Sequence, residues 1–201
     1  ATPGAVLIGT QMIAKGLDFP DVTLVGVINA DTMLKLPDFR AAERTFDLLE
    51  QVAGRAGRGE KPGKVIIQSY WSTHPAIASV VTHDRRPFLD AELKERREGA
   101  YPPFSRLSNV LFWGASEKEV RRVADQMAEA LHTKLDAQTG WEILGPADCV
   151  KAKVKDKYRR HILVKAPVNA QVGEILSECA ASLDKRVGIN MTLDVDAYDM
   201  M

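Results

Sequence analysis

The sequence predicts an α/β protein in two parts. Residues 1–100 read as a parallel-sheet unit and residues 101–201 as an α+β unit built on a split βαβ plan. Three observations carry this. Short apolar runs rich in β-branched residues, at 5–8, 22–28 and 64–70, flank a long amphipathic stretch, the pattern of buried strands joined by a crossover helix. Pro102-Pro103 then interrupts the chain after a densely charged helical segment, because consecutive prolines cannot continue a helix. Beyond them, period-2 and period-3.6 segments follow in the order βαββαβ.

In chain order, residues 5–8 are expected to form a first buried strand ending at Gly9-Thr10. Thr10 and Gln11 can donate to a phosphate, and Gly16 permits a tight turn before Asp18, with Pro20 stopping any helix just beyond. Residues 22–28 form a second strand closed by Asn29-Ala-Asp31. Pro37-Asp38 opens a long helix on which Phe39, Ala42, Phe46, Leu49 and Ala53 share a core face, while Arg40 and Arg44 are assigned to solvent. After the turn at 59–63 comes a third strand, at 64–70. Strand, helix and strand make a parallel βαβ unit, and open α/β sheets hold ligands at the carboxyl ends of their strands. Helices follow at 74–81 and 85–98, the second mostly charged and read as a bridging element; His74 and His83 lack metal-ligand spacing and are read as structural.

The second unit opens with a strand at 106–113 carrying alternating Leu107, Asn109, Leu111 and Trp113. Ser116 and Glu119 form a capping box at the start of a helix bearing Val120, Val123, Met127, Leu131 and Leu135. A strand region at 141–150 contains Gly145-Pro146, expected as a bulge or edge break, and 158–165 form another strand. Asn169 is expected to cap a helix bearing Val172, Ile175, Leu176, Cys179 and Leu183, before a last strand at 189–195. This order is that of ferredoxin-like domains, with one helix layer on an antiparallel sheet and the other face open.

Composition narrows the function classes. With 27 basic and 27 acidic residues the net charge is zero, so any nucleic-acid site must come from local clustering. No apolar run is long enough to span a membrane, and there is no signal peptide; a cytoplasmic setting is expected. The two cysteines, Cys149 and Cys179, are far apart and outside any Cys-x-x-Cys pair, which argues against a metal site in this chain. The local cluster is at 151–160: Lys151, Lys153, Lys155, Lys157, Arg159 and Arg160, with Tyr158 and the nearby Trp141 offering rings for base stacking. The competing reading is a solvated hairpin tip. The other charged motif is Gln51-Val-Ala-Gly-Arg-Ala-Gly-Arg-Gly59. Its i, i+4, i+7 spacing puts Gln51, Arg55 and Arg58 on one face of a continuous helix, with Gly54 and Gly57 allowing close backbone approach. Guanidinium forks suit phosphate oxygens, and the bland alternative is a basic helix end in water.

Gln51-x-x-Gly-Arg-x-x-Arg58 resembles motif VI of superfamily 2 helicases, and the longer run from Asp38-Phe-Arg-Ala-Ala-Glu-Arg to Arg58 resembles the PriA family of primosomal replication-restart helicases. Pro102-Pro103-Phe104, the segment around Thr10–Asp18, which is similar to helicase motif V, and the Gly-Pro, lysine, Tyr-Arg pattern near 145–160 extend the resemblance over most of the chain. Histidine is common in that family near Leu17-Asp18, and the family's usual Asp-Val-Asp-Pro ending is replaced around Asp196-Ala-Tyr-Asp199. The resemblance implies the C-terminal part of such a protein. Residues 1–100 would be part of the second RecA-like lobe and 101–201 a DNA-binding domain. ATP with Mg²⁺ would lie between this lobe and a first lobe, in the N-terminal region of the same protein. Arg55, Arg58 and Gln51 would act on the transferring phosphate, Gly16 and Asp18 would reach the nucleotide, and Thr10 and Gln11 would touch DNA. The family's zinc module is expected upstream of this region, and Ala1 in place of a methionine fits a fragment. Implied partners are forked and single-stranded DNA, single-strand-binding protein and other primosome proteins. No phosphate loop of the Gly-x-x-x-x-Gly-Lys-[Ser/Thr] type is present, so these 201 residues alone are not expected to hydrolyse ATP. The alternative is a non-catalytic module that binds forks and loads a helicase.

Overall fold

The computed structural model describes residues 4–10, 22–56, 62–184, 188–198 and 200. It is a mixed α/β chain that divides into two compact units, Ala1–Lys94 and Glu95–Met201.

In the first unit, β1 (Leu24–Val27) and β2 (Lys64–Ile67) pair in parallel, Leu24 opposite Lys64 and Val27 opposite Ile67. Between them run a short 3-10 helix (Ala30–Thr32) and helix α1 (Ala41–Ala53), followed after β2 by α2 (Pro75–Thr82) and α3 (Arg86–Glu98). The expected βαβ unit is present. Its core is Phe46, Leu49, Ala76, Ile77, Val80 and Phe88, with the rings of Phe46 and Phe88 stacked 4.4 Å apart at 15°. Such a pair adds about 0.5–1.5 kcal/mol beyond its buried area.

Three expectations change here. Residues 5–8 form no strand: Val6 is 85% and Ile8 88% exposed. A short apolar run becomes a strand only when a neighbour pairs its amides, and no described strand does so. Helix α1 starts at Ala41 rather than at Pro37-Asp38, because the Asp38 carboxylate accepts the Arg40 amide at 2.8 Å and holds a turn there. Arg40 and Arg44 are also not simply solvated: Arg40 pairs with Glu43, and Arg44 reaches the buried Asp38 carboxylate at 3.2 Å.

The second unit contains β3 (Arg106–Gly114), α4 (Glu117–Leu135), β4 (Glu142–Val154), β5 (Lys157–Ala166), α5 (Val172–Ala181) and β6 (Ile189–Asp194). The element order is the βαββαβ read from the sequence. The sheet order is β4-β5-β3-β6, with every neighbouring pair antiparallel. Alternate residues point to opposite faces. Val110, Phe112, Ile162 and Val164 therefore meet Val120, Val123, Met127 and Leu131 of α4 and Val172, Leu176 and Cys179 of α5 in one core. Ser116 caps α4, its hydroxyl accepting the Glu119 amide at 3.4 Å, while the Glu119 carboxylate accepts Arg122 Nε at 3.0 Å. Helix α5 begins later than Asn169: that residue sits in the turn closed by Ala170 N–H to Pro167 O, and Gln171 is the N-cap.

Two features fix the sheet's edges. The register shifts between Leu144 and Ala147, where Gly145-Pro146 was expected to break the strand. Gly145 has φ +104°, and a Cβ there would lie 2.9 Å from the His161 carbonyl oxygen, so glycine is required. At the other end, Arg106 binds the Asp196 carboxylate at 2.7 Å and the Ala197 amide donates to the Leu107 carbonyl at 2.7 Å. The end of β6 is thereby tied to the start of β3.

Candidate functional site

Helix α1 ends at Ala53, not beyond Arg58. Glycine is a poor helix former, and Gly54 takes the C-cap position with φ −70° and ψ 0°. Gln51 is exposed in the last turn, and half-buried Arg55 lies past the helix end, its amide donating to Val52 O at 3.0 Å. The helical face expected to carry Gln51 and Arg55 together is thus replaced by a helix end followed by a turn. Arg58, Gln11, Gly16 and Asp18 lie outside the described residues, and Thr10 is exposed at the end of a segment without regular structure. By connectivity, the Gln51–Arg55 stretch leads into the amino end of β2, whereas the loops at the carboxyl ends of β1 and β2 carry Asp31 and Ser69–Trp71.

Gly54 has torsions open to any residue, and a Cβ there would meet only Glu50 O at 3.5 Å and Gln51 O at 3.7 Å. No close contact among the described residues requires glycine at this position. A bare Cα there leaves room for an outside group to approach the backbone beside Arg55.

Asp31, read from the sequence only as the close of a strand, is a junction. Its buried carboxylate accepts Ser69 Oγ at 2.6 Å, the Tyr70 amide at 2.8 Å and the Trp71 amide at 3.3 Å, joining the carboxyl ends of β1 and β2. Those bonds, led by the Ser69 hydroxyl, hold the carboxyl below its ordinary range. A lone acid just after an apolar run was the available signal, but its partners lie 38 to 40 residues away.

In the second unit the basic cluster forms the turn and flanks of the β4–β5 hairpin. That hairpin joins an edge strand to a central one. Lys155 and Asp156, with φ +47° and +59°, make its two-residue turn, the geometry favoured in tight hairpins. The six cations differ. Arg160 is held in place: its Nη2 donates to Pro146 O at 2.9 Å, its Nε lies 3.5 Å from Asp148, and its side chain is 14% exposed. Lys153 pairs with Asp156 at 3.2 Å, which raises its pKa, and its ammonium lies 5.1 Å from the centre of the Tyr158 ring. Lys151, Lys155 and Lys157 are exposed, and among the described residues no carboxylate pairs with them or with half-buried Arg159. Tyr158 and Trp141 pack against the α4–α5 core, so packing accounts for both rings. Among the described residues no cluster of His, Cys, Asp or Glu is arranged to hold a metal, and no helix is long and apolar enough to cross a membrane.

Residues 97–198 match the family model described as the primosomal protein N C-terminal domain. The chain is 44% identical to the replication restart protein PriA of Bacillus subtilis over 98% of this chain and 24% of that relative. It is 43% identical to the protein of the same name from Treponema pallidum, over 98% of this chain and 30% of the relative. The Synechocystis protein of that name is 44% identical over 81% of this chain and 19% of its own length. The chain therefore spans about a quarter of the length of relatives such as the first.

Proposed function

The chain belongs to the PriA family of replication restart proteins, and from that premise we propose that it is part of an ATP-dependent 3′-to-5′ DNA helicase acting at stalled or abandoned replication forks. In this reading the first unit is part of the second motor lobe, and the second unit binds DNA while primosome proteins assemble. The observation that carries the motor half is Gly54 between Gln51 and Arg55: its torsions are open to any residue, and its close neighbours among the described residues are only the Glu50 and Gln51 carbonyls. Close approach of a phosphate is the use that explains it. Arg55, with Arg58, supplies fixed positive charge to that phosphate, and Gln51 orients it. The lobes close around ATP, held with Mg²⁺ mainly by a first lobe, and open after its hydrolysis. Thr10 and Gln11 contact the translocating strand, and Gly16 and Asp18 the nucleotide. The hairpin cations Lys151, Lys155, Lys157 and Arg159 add sequence-blind affinity for DNA phosphates.

The test is ATP hydrolysis by the native full-length protein, with and without forked DNA, beside Arg55→Ala and Arg58→Ala. The expected result is DNA-dependent turnover that falls by roughly 10³-fold or more in either variant. A native protein that binds forks tightly without turnover would overturn the motor reading and leave a helicase-loading module.

A further inference from the structure

The sheet of the second unit has two faces, and α4 and α5 cover one of them. Residues directly paired across antiparallel strands share a face, so the register lays out the other face in rows. The first row is Arg159, Trp113 and Asn190, on β5, β3 and β6. The second is Ala147, His161, Leu111 and Thr192. The third holds Leu144, Leu163, Asn109 and Asp194, and the fourth Glu142, Lys165 and Leu107.

The two ends of this face differ. At the fourth row Lys165 is satisfied by Glu142 at 2.9 Å, by the Gly99 carbonyl at 2.8 Å and by the Tyr101 ring at 4.2 Å, and Leu107 is fully buried. The segment after α3 closes that end. At the first two rows there is no carboxylate at all. Trp113 is partly exposed and absent from the core that takes up Trp141 and Tyr158. Arg159 has no paired carboxylate among the described residues, Asn190 and Thr192 are exposed on the edge strand, and His161 Nδ1 is buried without a hydrogen-bond partner. The lysines of the β4–β5 hairpin extend from β5 past Arg159, beyond Gly114 at the end of β3.

From this row structure we propose that single-stranded nucleic acid lies across the helix-free face, with one base stacked on Trp113, its phosphate on Arg159 and its polar edge toward Asn190 and Thr192. The proposal rests on the DNA-binding reading above and adds a site to it. Rows are about 7 Å apart and strands about 4.8 Å apart, so the acid-free area spans room for about two nucleotides. Stacking needs a base free of its complement, which selects single strands over duplex. Charge selects a polyanion over a basic or neutral partner face, because the acid-free rows run into the hairpin lysines, and the part-exposed ring of Trp113 suits a polyanion that carries bases.

The test is fluorescence anisotropy of a labelled oligothymidylate with the 201-residue chain, across a salt series, for wild type, Trp113→Ala, Trp113→Phe and Asn190→Asp. Trp113→Ala is expected to weaken binding roughly 5- to 150-fold with an unchanged salt slope, because a ring and not a charge is lost. Trp113→Phe should stay within several-fold of wild type. Asn190→Asp, an exposed change that leaves the fold intact, should weaken binding at low salt and lose its effect at high salt. Binding by wild type that Trp113→Ala and Asn190→Asp both leave within twofold overturns the sheet-face site while the hairpin reading survives. Equal loss on a duplex of the same length overturns the single-strand assignment. No binding by wild type overturns both readings.

Discussion

Neutralising the three exposed hairpin lysines together, Lys151→Gln, Lys155→Gln and Lys157→Gln, should remove most of the salt dependence of DNA binding, and Arg160→Gln should remove none. Sorting by partners gives the magnitude. Arg160 already has Pro146 O and Asp148, and Lys153 has Asp156, so neither has a full charge to offer a phosphate. That leaves Lys151, Lys155, Lys157 and Arg159. Each phosphate neutralised on a single strand contributes about 0.7 to the slope of log affinity against log salt, so four give about 2.8. Between about 50 and 200 mM salt that slope predicts a loss of roughly 50-fold for wild type, and only about threefold for the triple variant. Anisotropy titrations at four or five salt concentrations resolve the difference. A full-phosphate flattening by Arg160→Gln, or an unchanged slope in the triple variant, would refute the sorting of these cations by their partners.

Three further outcomes concern stability. Leu131→Ala, at a fully buried position between α4 and the sheet, should cost about 2–5 kcal/mol in urea denaturation, against less than about 0.5 for the exposed Val168→Ala. Gly145→Ala should cost about 1–3 kcal/mol, because φ +104° is strained for alanine and its Cβ would meet His161 O at 2.9 Å. Gly188→Ala, with φ +95° but open space around it, should cost less in the same denaturation curves. The hydrogen bond from Arg106 holds the Asp196 carboxyl below its ordinary 3.8. The folded value is lower than the unfolded one, so this stabilisation is present above about pH 4 and is lost as pH falls toward the folded value. Asp196→Asn should therefore shrink the stability difference from wild type as denaturation curves are taken from pH 6 down to pH 2.

The second unit was largely legible because its pattern is local. Val120, Val123, Met127 and Leu131 recur at helical spacing, Met191 and Leu193 alternate, and Gly145-Pro146 marks its own bulge; tertiary packing only confirmed these periods. The first unit was harder. A run such as Val6-Leu7-Ile8 has strand chemistry, but whether it pairs depends on a neighbour no window of sequence contains. The Gln51–Arg58 motif was visible as a charge pattern, but the helical face assumed for Gln51 and Arg55 ends at Gly54, whose low propensity stops α1 at Ala53. In the basic cluster the sequence showed six equal cations. Their inequality comes from Asp148, Pro146 and Asp156, which the hairpin register alone brings beside them.

The tie between Arg106 and Asp196, with Ala197 bonded to Leu107, has a mechanical consequence. The chain enters β3 and leaves β6 at neighbouring points on that antiparallel pair. Tension applied through those two points loads that pair from one end, at Asn109 opposite Asp194, and opens it rung by rung toward Gly114 opposite Ile189. Strands pulled in this way yield at the strength of one rung, whereas strands sheared lengthwise resist with all rungs at once. The core holds the helices on the sheet, but the β3–β6 pair peels at low force when pulled by its ends.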